Sequence, residues 1–371
     1  VPWEMYETYG DIRILKKCYD MMKKWVEYQN STDRRNYGVR TVDGKEVPEQ
    51  SDLATIPYIQ VQQCRGDHLT YDNSTPYIYS ATAYAAHSAD ILRRTAYILG
   101  KTDDEKRYTE LFENIKRAFN DAWVNDDGSV SYYGEVSSQT AHCGESVALD
   151  GSVTRYTYYA ENTPHCPSQT AYALAVDFDL IPQDKLKNTR KYFKNSILRN
   201  NGKLTVGFLG ISHLAPALSK VGLDDVAFKL LEQEDNPSWL YSVKNGATTI
   251  WERWNSYIAE TGTFGDVSMN SFNHYSYGAI GQWFFTDILG IRPVEFGYKS
   301  FMLAPKFGGG LTYAKGSFTS PYGKISSAWK LHDGKFTYDC TVPTNTTATL
   351  KLPNGDIHTL VGGSYLFEFN V

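Results

Sequence analysis

The run Ala85–Ala122, AAHSADILRRTAYILGKTDDEKRYTELFENIKRAFNDA, carries two helical periods back to back. Ala85, Ala89, Leu92, Ala96 and Leu99 recur at helical spacing and stop at Gly100, the residue type best suited to the left-handed turn that closes a helix. Thr102-Asp103-Asp104-Glu105 then has the form of a capping box, in which the Thr and Glu side chains satisfy the free amides of a new helix. That second helix presents Tyr108, Leu111, Ile115, Ala118 and Ala122 on one face. So short a connection folds the pair into a hairpin. Small side chains on one helix and bulky ones on the next suggest an inner and an outer layer, as in an (α/α) barrel.

The same grammar extends in both directions. Ile12, Leu15, Tyr19, Met22 and Val26 form an apolar stripe behind Asp11, a helix N-cap. Further paired helices are expected over Ser168–Asp179 and Asp184–Asn200, Gly210–Val221 and Asp224–Glu234, with a last one over Ser271–Leu289. Between pairs, Asn30–Tyr77 and Asp126–Pro167 lack helical periodicity, and loops of that length in a folded domain often carry function. Near Gly290 the period changes. Short β-branched and aromatic runs (311–318, 324–331, 335–342, 348–352 and 364–369) are separated by Asp333-Gly334, Asn354-Gly355 and Gly362-Gly363, which are hairpin-turn dipeptides. The expected architecture is therefore mainly α: a helical barrel over residues 1–290 followed by a small antiparallel β-sandwich over 291–371.

A net charge of −5 spread over 371 residues offers no basic field for a phosphate backbone, so no nucleic-acid partner is expected. No apolar run is long enough to cross a bilayer, so no membrane partner is expected either. Cys18, Cys64, Cys143, Cys166 and Cys340 include no C-x-x-C pair, and the histidines include no H-x-x-x-H or H-E-x-x-H pair. No metal and no cofactor is expected. Only Cys143 and Cys166 share a segment, where they are either a disulfide or two free thiols.

The chemistry-bearing stretch is Asn245–Asn255, NGATTIWERWN, with Ser271–Gly278, SFNHYSYG, after it. Glu252 lies between Trp251 and Trp254 beside Arg253, and His274 follows. A carboxylate among indole rings with cationic donors nearby suits holding a sugar and activating water beside it, the work of one member of a glycosidase carboxyl pair. The alternative is that both indoles are core residues. Arg253 beside Glu252 and His274 near it could hold that carboxylate charged, although adjacent residues on a helix point different ways, so Arg253 need not touch it. Arg65-Gly66-Asp67-His68-Leu69 lies in the first long loop, where Asp67 either bonds sugar hydroxyls or caps the loop. His274 either donates to a hydroxyl or is structural; Trp3, Trp239 and Tyr241 are further ring platforms or core.

Taken in order, PWEMYETYGD, RGDHL, TPYIYSATAYAAHSADIL, SQTAYALAV, VGFLG, NPSWLYSV, GATTIWERWN, SFNHYSYGAIG and VPTNTTATLKLP resemble the bacterial α-L-rhamnosidases of glycoside hydrolase family 78 over nearly the whole chain. GATTIWERW and SFNHYSYGA are the specific part. The resemblance implies an (α/α)6 barrel, incomplete in this chain, then a β-sandwich, and hydrolysis of a terminal α-L-rhamnose from a glycan or glycoside with inversion. It implies Glu252 as general base and Asp67, His68, Trp251, Trp254 and His274 as substrate-binding residues. His68 stands where the family's G-D-W-L motif has Trp, so one wall of the site differs and a different sugar is an alternative. The family's segment bearing the general acid lies upstream of the position matching Trp3, so that segment is the expected protein partner; a sugar-binding remnant without catalysis is the remaining alternative.

Overall fold

In a computed structural model, residues 1–31, 39–42, 45–48, 57–60, 66–71, 75–131, 143–147, 153–157 and 167–371 are described. Arg65 and the Cys143–Cys166 pairing lie outside what is described. Helices α1 (Pro2–Tyr9) and α2 (Ile12–Gln29) open the chain, and Asp11 caps α2 by accepting from the Arg13 amide at 3.0 Å. Helix α3 (Tyr77–Ile98) and α4 (Thr102–Trp123) are the hairpin that the sequence announces. Ala83, Ala85, Ala86, Ala89 and Ala96 of α3 are fully buried against Tyr108, Phe112, Ile115, Phe119 and Trp123 of α4. Small residues let the inner helix approach its neighbours closely, and the large rings of the outer helix fill the space behind it.

The capping box does not form. Lys101 occupies the N-cap without a side-chain bond, and Thr102 is already helical. Asp103, Asp104 and Glu105 in the first turn complement the helix dipole in its place. Two more hairpins follow: α5 (Gln169–Asp177) with α6 (Leu186–Leu198), and α7 (Phe208–Lys220) with α8 (Asp224–Leu231). Ser168 caps α5, whose residues Gln169–Val176 are all buried, as expected of an inner helix packed on every side. A short helix α9 (Trp239–Lys244) precedes a stretch of bends. The expected Ser271–Leu289 helix is shorter and mixed: a 3₁₀ turn at Ser276–Ala279, α10 (Ile280–Trp283) and a π turn at Phe284–Ile288.

Short antiparallel ribbons interrupt the helical part: β1 (Val39–Val42) with β2 (Lys45–Pro48), β3 (Cys143–Val147) with β4 (Val153–Thr157), and β5 (Tyr257–Ile258) with β6 (Thr263–Phe264). After Ile288 the chain builds two four-stranded sheets. The first is wholly antiparallel, in the order β14 (Gly363–Asn370), β11 (Lys335–Val342), β10 (Gly323–His332), β9 (Tyr313–Ser320). The second runs β13 (Ile357–Leu360), β12 (Thr347–Lys351), β8 (Ser300–Leu303), β7 (Ile291–Pro293), and β8 pairs β12 in parallel, so the expected all-antiparallel sandwich is corrected to a mixed one. Asp333 and Gly334, both at positive φ, make the tight turn between β10 and β11. The sandwich is bonded to the end of the helical part: the Trp329 indole donates to Ile288 O at 2.9 Å, Ser327 to Leu289 O at 2.7 Å, and Lys306 reaches Asp224 at 2.7 Å and Asp287 at 3.0 Å. Among the described residues no helix is long and apolar enough to cross a membrane.

Candidate active site

Trp251–Asn255 lie in bends, not on a helix. Residues 250–252 run beside 271–274: the Glu252 amide donates to Ser271 O at 2.8 Å and the His274 amide to Ile250 O at 2.8 Å. The return contact comes from a side chain, since the Ser271 amide donates to Glu252 Oε2 at 2.7 Å. Glu252 is half-buried, and Oε1 makes no hydrogen bond among the described residues. A carboxylate with one oxygen anchored and the other open keeps a fixed direction and a vacant lone pair.

Arg253 turns away from Glu252. Its guanidinium meets Asp266 at 2.9 Å and donates through Nε to Met269 O at 2.7 Å, so the expectation that it holds Glu252 charged is corrected. The two indoles do not form a sugar cradle either. Trp254 is 2% exposed, stacks on Tyr277 at 3.8 Å, meets Trp239 edge-on at 5.4 Å and donates to Val206 O at 3.0 Å, which leaves no face for a ligand. Trp251 is 7% exposed and packs edge-on against Phe272 at 5.1 Å. Both are buried, as in the alternative that the two indoles are core residues.

Asp67 is 6% exposed and saturated. Its Oδ1 accepts from the amides of Leu209 at 2.8 Å and Gly210 at 3.0 Å; Oδ2 accepts from the Gly207 amide at 2.8 Å and from the Thr170 hydroxyl. It therefore closes the N-terminus of α7 from a distant loop, satisfying amides that the helix itself leaves free. Burial pushes its carboxyl above the usual carboxylate range, with Thr170 and the three amides pulling the other way. Its four lone-pair sites are taken by these four donors, which matches the loop-cap alternative for Asp67. Gly207 and Gly210 permit the arrangement. A Cβ on Gly207 would lie 2.2 Å from His68 O and 2.6 Å from Asp67 O, and one on Gly210 would lie 2.3 Å from Thr170 Oγ1.

The rings that do gather come from three segments. His68 is edge-on to Phe208 at 5.5 Å, Phe208 stacks on His274 at 4.9 Å, and His274 stacks on Tyr275 at 5.3 Å. The Ser276 amide donates to His274 Nδ1 at 3.3 Å, and Nε2 makes no hydrogen bond among the described residues. The Phe208 amide donates to His68 O at 2.9 Å, and Tyr277 donates to Leu69 O at 3.4 Å, tying the loop at 66–71 to the same cluster. Burial, and then the charge of Asp67, raises the Tyr277 phenol far above its ordinary range. Trp239 lies at the back of this cluster, donating to Tyr277 O at 2.9 Å, and Tyr241 is buried behind it, donating to Tyr257 O at 3.1 Å. Trp3 is elsewhere, buried edge-on to Phe296 at 5.4 Å and under Arg94.

Phe208 and Ser271 are the site residues that sequence reading passed over, although both fall inside quoted motifs. A Phe directly after a Gly at the start of an Ala- and Leu-rich helix was the available signal for the first. A separate concavity of about 510 Å³ on the outer wall, lined by Glu27, Tyr58, Arg107, Tyr108 and Asn114 among others, shares no residue with the Glu252 cluster. It is a groove between α2 and α4.

Residues 1–288 match the bacterial alpha-L-rhamnosidase 6 hairpin glycosidase domain, and residues 290–366 match the bacterial alpha-L-rhamnosidase C-terminal domain. An alpha-L-rhamnosidase of Formosa agariphila is 33% identical over 362 residues, covering 97% of this chain and 34% of that protein. One from Streptomyces avermitilis is 34% identical over 354 residues, covering 95% of this chain and 28% of that protein. The crystal structure of the Streptomyces avermitilis alpha-L-rhamnosidase complexed with L-rhamnose superposes with a TM-score of 0.80 at 31% identity, over 100% of this chain and 32% of that one. Native alpha-L-rhamnosidase from Aspergillus terreus gives 0.77 at 29% identity, over 99% and 38%. The chain spans about a third of the length of the curated relatives it matches. Its hairpins, its β-domain and the order of its motifs make it a member of the bacterial α-L-rhamnosidase six-hairpin glycosidase family.

Proposed function

We propose that the protein hydrolyses terminal α-L-rhamnosides with inversion at the anomeric carbon and that Glu252 is its general base. The observation that carries this reading is the Glu252 carboxylate, held by the Ser271 amide through Oε2 and open at Oε1. An inverting base must stay ionised, must keep its aim, and must offer a lone pair to a water on one face of the sugar. His274, on the strand-like segment paired with that of Glu252, offers a free Nε2 to a substrate hydroxyl, and Phe208 and His68 supply ring surface beside it. The family's members named alpha-L-rhamnosidase, and the relative crystallised with L-rhamnose, support the sugar.

The test is Glu252→Gln in the whole protein, which keeps the shape and removes the basic oxygen. Turnover of a nitrophenyl α-L-rhamnoside should fall roughly 100-fold or more, with KM little changed. Near-normal turnover would dismiss the role. His68 favours one second reading, a related glycosidase for another sugar, because an imidazole gives a smaller wall than an indole. A panel of nitrophenyl glycosides separates the two, since release from some other sugar alone would select it.

A further inference from the structure

We infer that Arg253 is a positioning residue that aims Glu252 through the backbone of Ser271, with Asp266 as its counterpart. This rests on the reading of Glu252 as general base. Glu252 occupies a bend, where neither helix nor sheet ladder fixes a side chain, and its carboxylate has a single anchor, the Ser271 amide. That anchor lies at the far end of an excursion through residues 253–270, which contains only the two-residue strands β5 and β6. An excursion of that length costs chain entropy to close, so something must hold its ends together.

Two backbone bonds, Glu252 N to Ser271 O and His274 N to Ile250 O, pair the ends, and the Arg253 side chain ties the excursion itself back to them. The guanidinium of Arg253 bonds Asp266 at 2.9 Å with Nη2 and Met269 O at 2.7 Å with Nε, two residues before Ser271. Asp266 is itself built into the same turn: its Oδ1 accepts from the Ser268 amide at 2.8 Å, the Ser268 hydroxyl at 2.7 Å and the Met269 amide at 3.3 Å. Asn270 adds a bond from Nδ2 to Ser256 O at 2.8 Å. The Ser268 bonds come first, and with the Arg253 charge they hold Asp266 below the usual carboxylate range. Arg253 is thus matched by Asp266, and no ion pair joins it to Glu252 among the described residues. Its effect on the base is geometric. A planar guanidinium can serve a carboxylate and a carbonyl together in fixed directions, whereas the single ammonium of Lys cannot reproduce that fork.

The experiment uses the whole protein and compares wild type, Arg253→Lys, Asp266→Asn and each of these combined with Glu252→Gln, on a nitrophenyl α-L-rhamnoside. Arg253→Lys should lower kcat about 10-fold or more with KM changed less than about 2-fold, since a displacement of order 1 Å in a reacting group costs up to about 100-fold. Asp266→Asn, which keeps acceptor bonds to the turn but loses the ion pair, should lower kcat by a smaller factor. Neither should reduce the rate that remains in the Glu252→Gln background. Wild-type kcat in Arg253→Lys would overturn the inference, because it would show that charge suffices. An equal loss in the Glu252→Gln background would overturn it too, by showing an effect that bypasses Glu252. Should Arg253→Lys not fold, as judged by its denaturant midpoint, Asp266→Asn decides by the same two comparisons. Near-normal turnover in Glu252→Gln alone refutes the base reading instead, and so is distinct from either failure.

Discussion

Replacing Asp67 separates a structural knot from a substrate contact, and the size of the effect can be worked from its partners. Four donors converge on its carboxylate: the Gly207, Leu209 and Gly210 amides and the Thr170 hydroxyl. Gly207 and Gly210 are buried, so their amides cannot turn to water when the acceptor is gone. Each orphaned buried donor costs about 1–3 kcal/mol, whereas loss of an ordinary exposed helix cap costs about 1 kcal/mol. Asp67→Ala should therefore destabilise by about 3–6 kcal/mol, a large share of the roughly 5–15 kcal/mol that folded domains possess. Asp67→Asn removes the cost of a buried charge but directs an NH₂ group at helix amides. Its oxygen can serve about half the donors, so a loss of about 2–4 kcal/mol is expected. Urea unfolding with an unchanged slope, together with faster amide exchange at Leu209 and Gly210, would report it. A midpoint within about 1 kcal/mol of wild type, accompanied by a large rise in KM, would refute the reasoning and return Asp67 to the sugar.

Burial, reinforced by the neighbouring His213, pushes the His87 imidazole down to about 4, while Asp90 and Asp177 act to raise it and Arg94 to lower it. Between about pH 6.5 and 4 the unfolded chain binds this proton and the folded one does not, so stability should fall with pH across that window, by about 3 kcal/mol at most. His87→Phe, which keeps a ring over Phe178, should flatten the slope, and parallel curves would dismiss the effect. Gly207→Ala should cost about 3 kcal/mol, because its Cβ meets only backbone atoms of 67–70, whereas Gly281→Ala, with open space and no positive φ, should be neutral or slightly stabilising. Differential denaturation of the two variants checks this. Burial raises the Cys340 thiol to about 12, so it should resist maleimide at pH 8 until the chain unfolds. Rapid loss of reagent that disappears in Cys340→Ser would contradict that.

What could be read from the sequence was what short-range pattern encodes. The α3–α4 hairpin was legible because burial of one face imposes helical spacing on Ala85–Leu99 and Tyr108–Ala122, and Asp11 was legible because a cap is a contact between near neighbours. Thr102 misled because the same residue types serve a capping box and an acidic first turn, and only the backbone at Lys101 decides between them. The parallel pairing of β8 with β12 was invisible, since turn dipeptides specify hairpins and say nothing of strands joined by a crossover. The site was least legible. Arg253 takes Asp266, across a loop closure that no periodicity describes, and Asp67 takes its donors from helices more than one hundred residues further along the chain. Glu252 and His274 stood out as a carboxylate and an imidazole among aromatic rings, and His68 came from motif resemblance; that Phe208 links the two histidines required coordinates.

The accounting of lone pairs assigns the two carboxylates their different work. Asp67 stands at the entry of α7, and a helix N-terminus favours a negative charge wherever its amides can reach. Asp67 uses that opportunity in full: with both oxygens doubly occupied it can order α7, and through α7 the Phe208 ring, but it can neither accept a proton from water nor receive a sugar hydroxyl without breaking a bond already made. Glu252 lies in a bend, outside any helix N-terminus, and receives one amide. Its other oxygen makes no hydrogen bond among the described residues. A group that must take a proton in the transition state needs a vacant oxygen, and of these two carboxylates only the one opposite Ser271 has one among the described residues.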